Sequence, residues 1–385
     1  MRVIDIMLAL IRYDVLGHEL SGEVKENITP EVVTSIYKIA FKHDLAHLIA
    51  DALEKNGLTM GDEDTAKRLT KLREIAVFRY AQIQYEQRKV FAAFEKCAVP
   101  FVPLKGAIMR QYYPAPWMRT SSDIDILIRH EDIQRATEVL ERECGYKSEG
   151  SLTAHDISFH STTGVHFELH YDLVEENDHL DMQVSSDVWS HTVLADGCSY
   201  HYLLTDEAFY HYHVIHMAKH FRGGGCGIRT LLDLWILNNR VSFDEQKRNK
   251  LIAKSSLTEY NEAMKKLSEV WFADAVADDF TKEVEAFVLT GGVYGTEFNH
   301  LAIKQAKAGG RIKYILGRLF AIDPKIKKKH PKLYCLIAPF YQMKRWIKLL
   351  FSKSSRQRIQ KEVYSSSEVT ATEDKTRDLL DKLNI

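Results

Sequence analysis

Through residues 1 to 96 the apolar positions recur at intervals of three and four, as in Leu45, Leu48, Ile49 and Leu53, the spacing of helices that bury one face. The run from Ile75 to Phe94 predicts one long helix, with Pro100 as its stop shortly after Cys97. Beyond Pro100 the period shortens to two. Brief β-rich runs at Phe101 to Leu104, Asp123 to Ile128, Ile157 to His160 and Val165 to Leu173 predict strands. Between them, Glu131 to Glu143 has a helical period and closes on Gly145. From Asp206 the helical period returns, with helices expected from Glu207 to His220 and from Thr230 to Asn238 on either side of the glycine-rich break Gly223 to Gly227. Near the end, Ser365-Ser366-Ser367 reads as a linker, and Thr370-Ala371-Thr372-Glu373 as a capping box that starts a short helix through Leu383. The order predicts an α+β fold. Its expected parts are an N-terminal helical region over 1–96, a mixed core over 97–205, a helical domain over 206–310 that closes a cleft, a basic aromatic helical segment over 311–361, and a linker with a short helix over 362–385.

At 385 residues, 45% hydrophobic and 27% charged, the chain can bury a substantial core and is not intrinsically disordered. Its 52 Lys and Arg nearly cancel 53 Asp and Glu, which removes any whole-chain argument for nucleic-acid binding. The charge is unevenly placed. Arg311 to Lys361 holds fifteen Lys and Arg against the single acid Asp323, so this stretch stands at +14 and the remainder at −15. Tyr314, Phe320, Tyr334, Phe340, Tyr341 and Trp346 interleave with those charges. Two readings compete: a surface for an anionic partner such as RNA, acidic lipid or a phosphorylated acceptor, or aromatics packed inward with the charges paired to the acidic remainder. Five scattered cysteines without a CxxC pair suit a reducing cytoplasm. An acid interrupts the apolar start Met1-Arg2-Val3-Ile4-Asp5-Ile6, and Gln342, Lys344, Arg345 and Lys348 break Leu333 to Phe351, so neither a signal peptide nor a transmembrane segment is expected.

The sharpest motif is Arg119-Thr120-Ser121-Ser122-Asp123-Ile124-Asp125-Ile126-Leu127-Ile128. On a strand, Ile124, Ile126 and Ile128 face one side while Asp123 and Asp125 share the other, about 7 Å apart at Cα. Two like charges so placed call for a cation, and oxygen ligands favour Mg²⁺ or Mn²⁺ in phosphoryl-transfer chemistry. The competing reading is a strand end whose acids are merely solvated. Upstream, Phe101-Val102-Pro103-Leu104-Lys105-Gly106-Ala107 reads as a buried strand entering a helix from Ala107 to Tyr112. There Gly106 would let backbone N–H groups approach an anion and Lys105 would add a point charge, unless the pair is simple punctuation. Downstream, His166, Glu168 and His170 share one face of a strand, so Glu168 is either a third carboxylate or an exposed acid.

Taken together, Leu104-Lys105-Gly106, Tyr113-Pro114, Arg119, Asp123-Ile124-Asp125-Ile126-Leu127 and Glu168-Leu169-His170 resemble the uncharacterised nucleotidyltransferase family of the polymerase-β-like superfamily. The similarity continues into His216-Met217-Ala218-Lys219-His220, Leu231-Leu232-Asp233 and, more loosely, Arg318-Leu319-Phe320, and so covers residues 70 to 350. The resemblance implies a polymerase-β-like palm flanked by helices, with His216 and Lys219 looking into the catalytic cleft. Where many members of the wider superfamily carry Gly-Ser, this chain has Gly106-Ala107, with Asp123 seventeen residues after Gly106. One hydroxyl contact to phosphate is therefore missing.

Other motifs weigh less. His213, His216 and His220 share a helical face, but the His-Glu-x-x-His of a zinc protease is absent, and packing or phosphate contact is preferred. Gly223 to Gly227 follows a helix and lacks Gly-x-Gly-x-x-Gly, so it reads as a flexible connector or hinge. No Walker lysine pattern occurs. The expected activity is transfer of a nucleoside monophosphate from an NTP such as ATP to an acceptor that is a sugar, peptide, protein or RNA. Asp123, Asp125 and Glu168 would hold Mg²⁺ or Mn²⁺; Lys105, Gly106, Arg119, Ser122, His216 and Lys219 would bind the nucleotide. The alternatives are a non-catalytic nucleotide- or RNA-binding protein on the same palm, which intact carboxylates argue against, and a glycosyltransferase, which would need a βα region before the Asp-x-Asp.

Overall fold

Helix starts in the first hundred residues follow local chemistry. In the computed structural model, which describes residues 1–152, 156–173, 188–293, 295–320, 339–344 and 374–385, Ser21, Thr29 and Asp62 each accept a backbone N–H from the first turn that follows, at 3.2, 3.4 and 2.7 Å. The helices are α1 (Val3–Ile11), α2 (Gly22–Glu26), α3 (Pro30–Lys42), α4 (Ala46–Lys55) and α5 (Glu63–Lys96). The long expected helix thus begins earlier than Ile75, because Asp62 caps it and a polar first turn gives no apolar period to read. Its 34 residues span about 50 Å. Leu69 near one end packs in the helical core, while Ile83, Val90 and Phe94 pack under the sheet.

The second part comprises β1 (Phe101–Pro103), α6 (Gly106–Met109), β2 (Asp123–Ile128), α7 (Ile133–Arg142), β3 (Lys147–Leu152), β4 (Asp156–His160) and β5 (His166–His170). The strands form one mixed sheet in the order β1-β2-β5-β4-β3; β2 and β5 are parallel and the other pairs antiparallel. Ile124, Ile126, Ile128, Phe159, Phe167 and Leu169 fill the apolar face against α5 and Ala136, Val139 and Leu140 of α7. Two further strands, β6 (Thr192–Leu194) and β7 (Tyr202–Leu204), form a separate antiparallel pair. The sequence reading finds neither this pair nor β3. The former strands have three residues each, and Lys-Ser-Glu-Gly-Ser-Leu of β3 is a polar edge.

Helices α8 (Asp206–Arg222), α9 (Ile228–Arg240), α10 (Glu245–Lys254), α11 (Thr258–Phe272), α12 (Asp279–Gly291), α13 (Glu297–Ala308) and α14 (Arg311–Phe320) follow. One apolar core joins several of them to the N-terminal helices, drawing on Leu10, Leu48, Leu53, Met217, Leu231, Leu267 and Val288. The helix over 374–383 returns Leu379, Leu380 and Leu383 to the same core. Its expected capping box, Thr370 to Glu373, lies outside the described residues, as does most of the basic stretch beyond Phe320. The glycine-rich connector between α8 and α9 is packed tightly rather than loosely. A Cβ on Gly227 would stand 2.6 Å from Val293 Cγ2, and one on Gly224 2.8 Å from the His300 amide nitrogen. Among the described residues no helix is long and apolar enough to cross a membrane.

Candidate active site

The parallel register of β2 and β5 pairs Asp123 with His166, Asp125 with Glu168 and Leu127 with His170. Because side chains alternate, Asp123, Asp125, His166, Glu168 and His170 point to the face opposite the core. Donor atoms of Asp123, His166 and Glu168 lie within 4.8 Å of one another, as do those of Asp125, Glu168 and His170. This face opens into a cleft of about 800 Å³. Lys105, Gly106, Arg119, Ser121 and Ser122 line one part, and Tyr212, His213, His216 and His220 of α8 line another.

Asp125 is almost wholly buried, and its Oδ1 accepts from Lys105 Nζ at 2.6 Å and lies 3.0 Å from His170 Nε2. His170 Nε2 also stands 3.2 Å from Glu168 Oε2, and Lys105 Nζ 4.0 Å from it. Burial alone would raise the Asp125 carboxyl, but Lys105 and His170 outweigh it and hold the group far below the ordinary carboxylate range. Burial opposes the charge of Lys105 too, yet Asp125 keeps the ammonium firmly protonated. Asp123 differs. Burial, then the charge of Asp125, raise its carboxyl above the usual value. Against its burial, Asp125 and Glu168 also raise His170, and the donor groups, each two carboxylates and one imidazole, could hold a divalent ion such as Mg²⁺ or Mn²⁺.

Sharp backbone geometry sets Lys105 in place. Its φ of +45° is left-handed, a conformation that a side chain beyond glycine adopts at a cost. Gly106 is needed for a different reason: a Cβ there would meet Ser121 Cβ at 3.1 Å and Oγ at 3.2 Å. That hydroxyl belongs to the loop before β2. Ser121 Oγ accepts from Arg110 Nη2 at 2.6 Å. Arg110 is only 7% exposed, its Nε has no hydrogen-bond partner, and among the described residues no carboxylate pairs with it. Burial, reinforced by nearby Arg119, lowers its guanidinium to about 10.

The other expected residues divide. Ser122 lines the cleft, and its carbonyl accepts from Arg79 Nη2 at 3.1 Å. Arg119 also lines it, but its donors are engaged: Nε to both Asp233 oxygens at 2.8 Å, Nη2 to Oδ2 at 2.8 Å and Nη1 to the Thr120 carbonyl. Tyr113 donates its hydroxyl to the same Asp233 at 2.7 Å. His216 lines the cleft with its Nε2 3.2 Å from that of His220, and His213 Nε2 lies 3.1 Å from the Thr230 carbonyl. Burial and the charge of Lys105 push His216 well below its usual range and His220 to about 4. Lys219, on the same helix, is not among the lining residues. Sequence reasoning missed His170, Ser121, Arg110 and Asp233 as site groups. His170 and Asp233 lie within motifs already noticed, but their partners are 45 and 114 residues away.

Comparison with known proteins adds the following. The sequence pattern of a family described as "Uncharacterised nucleotidyltransferase" matches residues 30–273. No curated protein matches the chain. One solved structure, the antibiotic-resistance factor ANT(2'')-Ia in solution, aligns over 54% of this chain and 95% of its own at 13% identity and a TM-score of 0.27.

Proposed function

The chain belongs to the uncharacterised nucleotidyltransferase family, and from that premise we propose that it moves a nucleoside monophosphate from an NTP to an acceptor, releasing pyrophosphate, on a polymerase-β-like palm. The observation that carries this reading is the parallel β2/β5 register, which stands Asp125 beside Glu168, with Asp123 on the same face, at the floor of the cleft. Asp123, Asp125 and Glu168 would hold Mg²⁺ or Mn²⁺, which when bound lowers the pKa of an acceptor hydroxyl and offsets the charge of departing pyrophosphate.

The remaining work belongs to the chain. Lys105, kept charged by Asp125, presents a fixed cation to the developing negative charge. Gly106 lets backbone and Ser121 approach phosphate oxygens together, and Ser122 lies beside them. Arg119, tied to Asp233, fixes the loop that leads into β2 and so orients the carboxylates. His216 and His220, held neutral by burial, form a wall that adds no charge. In the reaction the acceptor oxygen bonds to the α-phosphorus, the bond from that phosphorus to the pyrophosphate oxygen breaks, and the acceptor proton leaves to solvent.

The test supplies each NTP, labelled at the α-phosphate and in a parallel reaction at the γ-phosphate, with Mg²⁺ or Mn²⁺ and acceptors from a cell extract. Labelled acceptor should form with the wild-type chain and not with Asp123→Ala/Asp125→Ala. Transfer that survives in the variant defeats the metal assignment, and movement of the γ-phosphate alone makes the protein a kinase. Salt-sensitive RNA binding without turnover would favour the non-catalytic alternative.

A further inference from the structure

Beyond the carboxylate row, the same sheet face carries a second convergence of ligand atoms. The antiparallel register of β4 and β5 sets His160 opposite His166, with ring centroids 5.0 Å apart. Both Nε2 atoms face one carboxylate oxygen, Glu149 Oε1 on neighbouring β3: His166 Nε2 at 3.9 Å, and His160 Nε2 in closer contact. All three donor atoms fall within 4.8 Å of one another. With bonds near 2.1 Å, tetrahedral ligands of a zinc ion stand about 3.4 Å apart, so small side-chain rotations complete the set. Exposures of 49% for His160, 40% for Glu149 and 27% for His166 leave room for those rotations and a path for the ion. We infer that Glu149, His160 and His166 form a binding site for a transition-metal ion of the Zn²⁺ class, with the fourth position open to water.

Donor chemistry separates this site from its neighbour. Two imidazoles and one carboxylate favour Zn²⁺ over Mg²⁺, whereas the neighbouring groups, each of two carboxylates and one imidazole, are richer in the oxygen donors that harder ions prefer. His166 links the two. Its Nδ1 stands 3.7 Å from Glu168 Oε1, beyond hydrogen-bond distance, and an ion on Nε2 would leave the proton on Nδ1. A carboxylate that closes to hydrogen-bond distance behind the ring is the usual support for a metal-bound imidazole. Glu168 thus lies in the neighbouring groups and borders this one. The inference stands on the sheet register and donor set, independently of whether nucleotides are transferred.

The full-length chain, stripped by a chelator and desalted, is titrated with Zn²⁺ against a chromophoric chelator in millimolar Mg²⁺, and in parallel with Co²⁺ followed by visible absorption. One equivalent of Zn²⁺ should bind despite the magnesium. His160→Gln and Glu149→Gln should each weaken it by about tenfold or more. Asp123→Asn should leave it unchanged, as should Cys198→Ser, which removes the thiol 4.0 Å from His201 Nδ1. Thermal midpoints recorded without metal establish that each variant is folded. The inference fails if no saturable uptake occurs below millimolar zinc, if His160→Gln and Glu149→Gln bind like wild type, or if Asp123→Asn abolishes the uptake. Any of these leaves the three side chains as a polar contact between neighbouring strands without a metal.

Discussion

Arg110 is where a single residue says most about the cleft. A guanidinium that is 7% exposed, lacks a carboxylate partner among the described residues and leaves Nε unbonded costs stability in the free protein. Its one short contact is to Ser121 Oγ, which lies at the Gly106 backbone on the cleft wall. The Ser121 hydroxyl, accepting from this cation, donates to the Asp123 carbonyl at 3.3 Å, and a polyphosphate in the cleft would supply the missing negative charge. Arg110→Met should therefore behave in two opposite ways. The free variant should melt no lower than wild type, since removing an unpaired buried charge relieves desolvation. Its affinity for ATP, measured calorimetrically, should fall about tenfold or more, equivalent to roughly 1.4 kcal/mol. A variant that unfolds at lower temperature and binds ATP normally would make Arg110 a packing residue only.

Between elements, the decisive joint is Asp233. It ties α9 to Arg119 and Tyr113, which flank the segment entering β2, through contacts of 2.7 to 2.8 Å. Asp233→Ala would strand the Arg119 guanidinium in a buried site, a loss of about 3–5 kcal/mol by chemical denaturation. Arg119→Met/Asp233→Ala should recover part of that loss, because no charge is then left unpaired; a double variant as unstable as the two single losses summed would refute the coupling. The joint also shows why the sequence could be read only so far. Asp123, Asp125 and the Lys105-Gly106 turn were legible because their chemistry is local: an alternation of two and a strand entering a helix. The partnership of Arg119 with Asp233 was not, since residues 114 positions apart carry no shared pattern. The same applies to His170, whose place beside Asp125 depends on β2 and β5 pairing in parallel. Among elements, amphipathic helices and apolar strands announced themselves, whereas polar β3 and the three-residue β6 and β7 had too little period to register. The glycine-rich connector looked loose by composition. Its lack of Cβ atoms instead allows α9 to begin against Val293.

Over the whole molecule, the apolar core merges helices from both ends of the chain, and it encloses histidines that must stay neutral. His43 Nδ1 accepts the amide of Ile228, joining the turn after α3 to the start of α9 at 3.1 Å. His211 Nε2 lies 2.7 Å from Ser255 Oγ, joining α8 to the end of α10. Burial lowers both from 6.5 to about 4, helped at His43 by the charge of Lys42 and at His211 by His191 and Lys254. In the unfolded chain each titrates near its ordinary value of about 6.5. Between pH 6.5 and 4 the unfolded state therefore binds more protons than the folded one, and protonation draws the equilibrium toward unfolding. Their contribution is fully present above the unfolded pKa and is lost as the pH falls toward the folded value, by up to about 3 kcal/mol for each histidine. Denaturation midpoints should accordingly drop steeply between pH 6.5 and 4. In His211→Gln, which keeps a polar partner for Ser255, the drop should be shallower by about half of the two-histidine share, although stability at neutral pH is no higher. An unchanged slope in that variant would show that the acid sensitivity arises elsewhere.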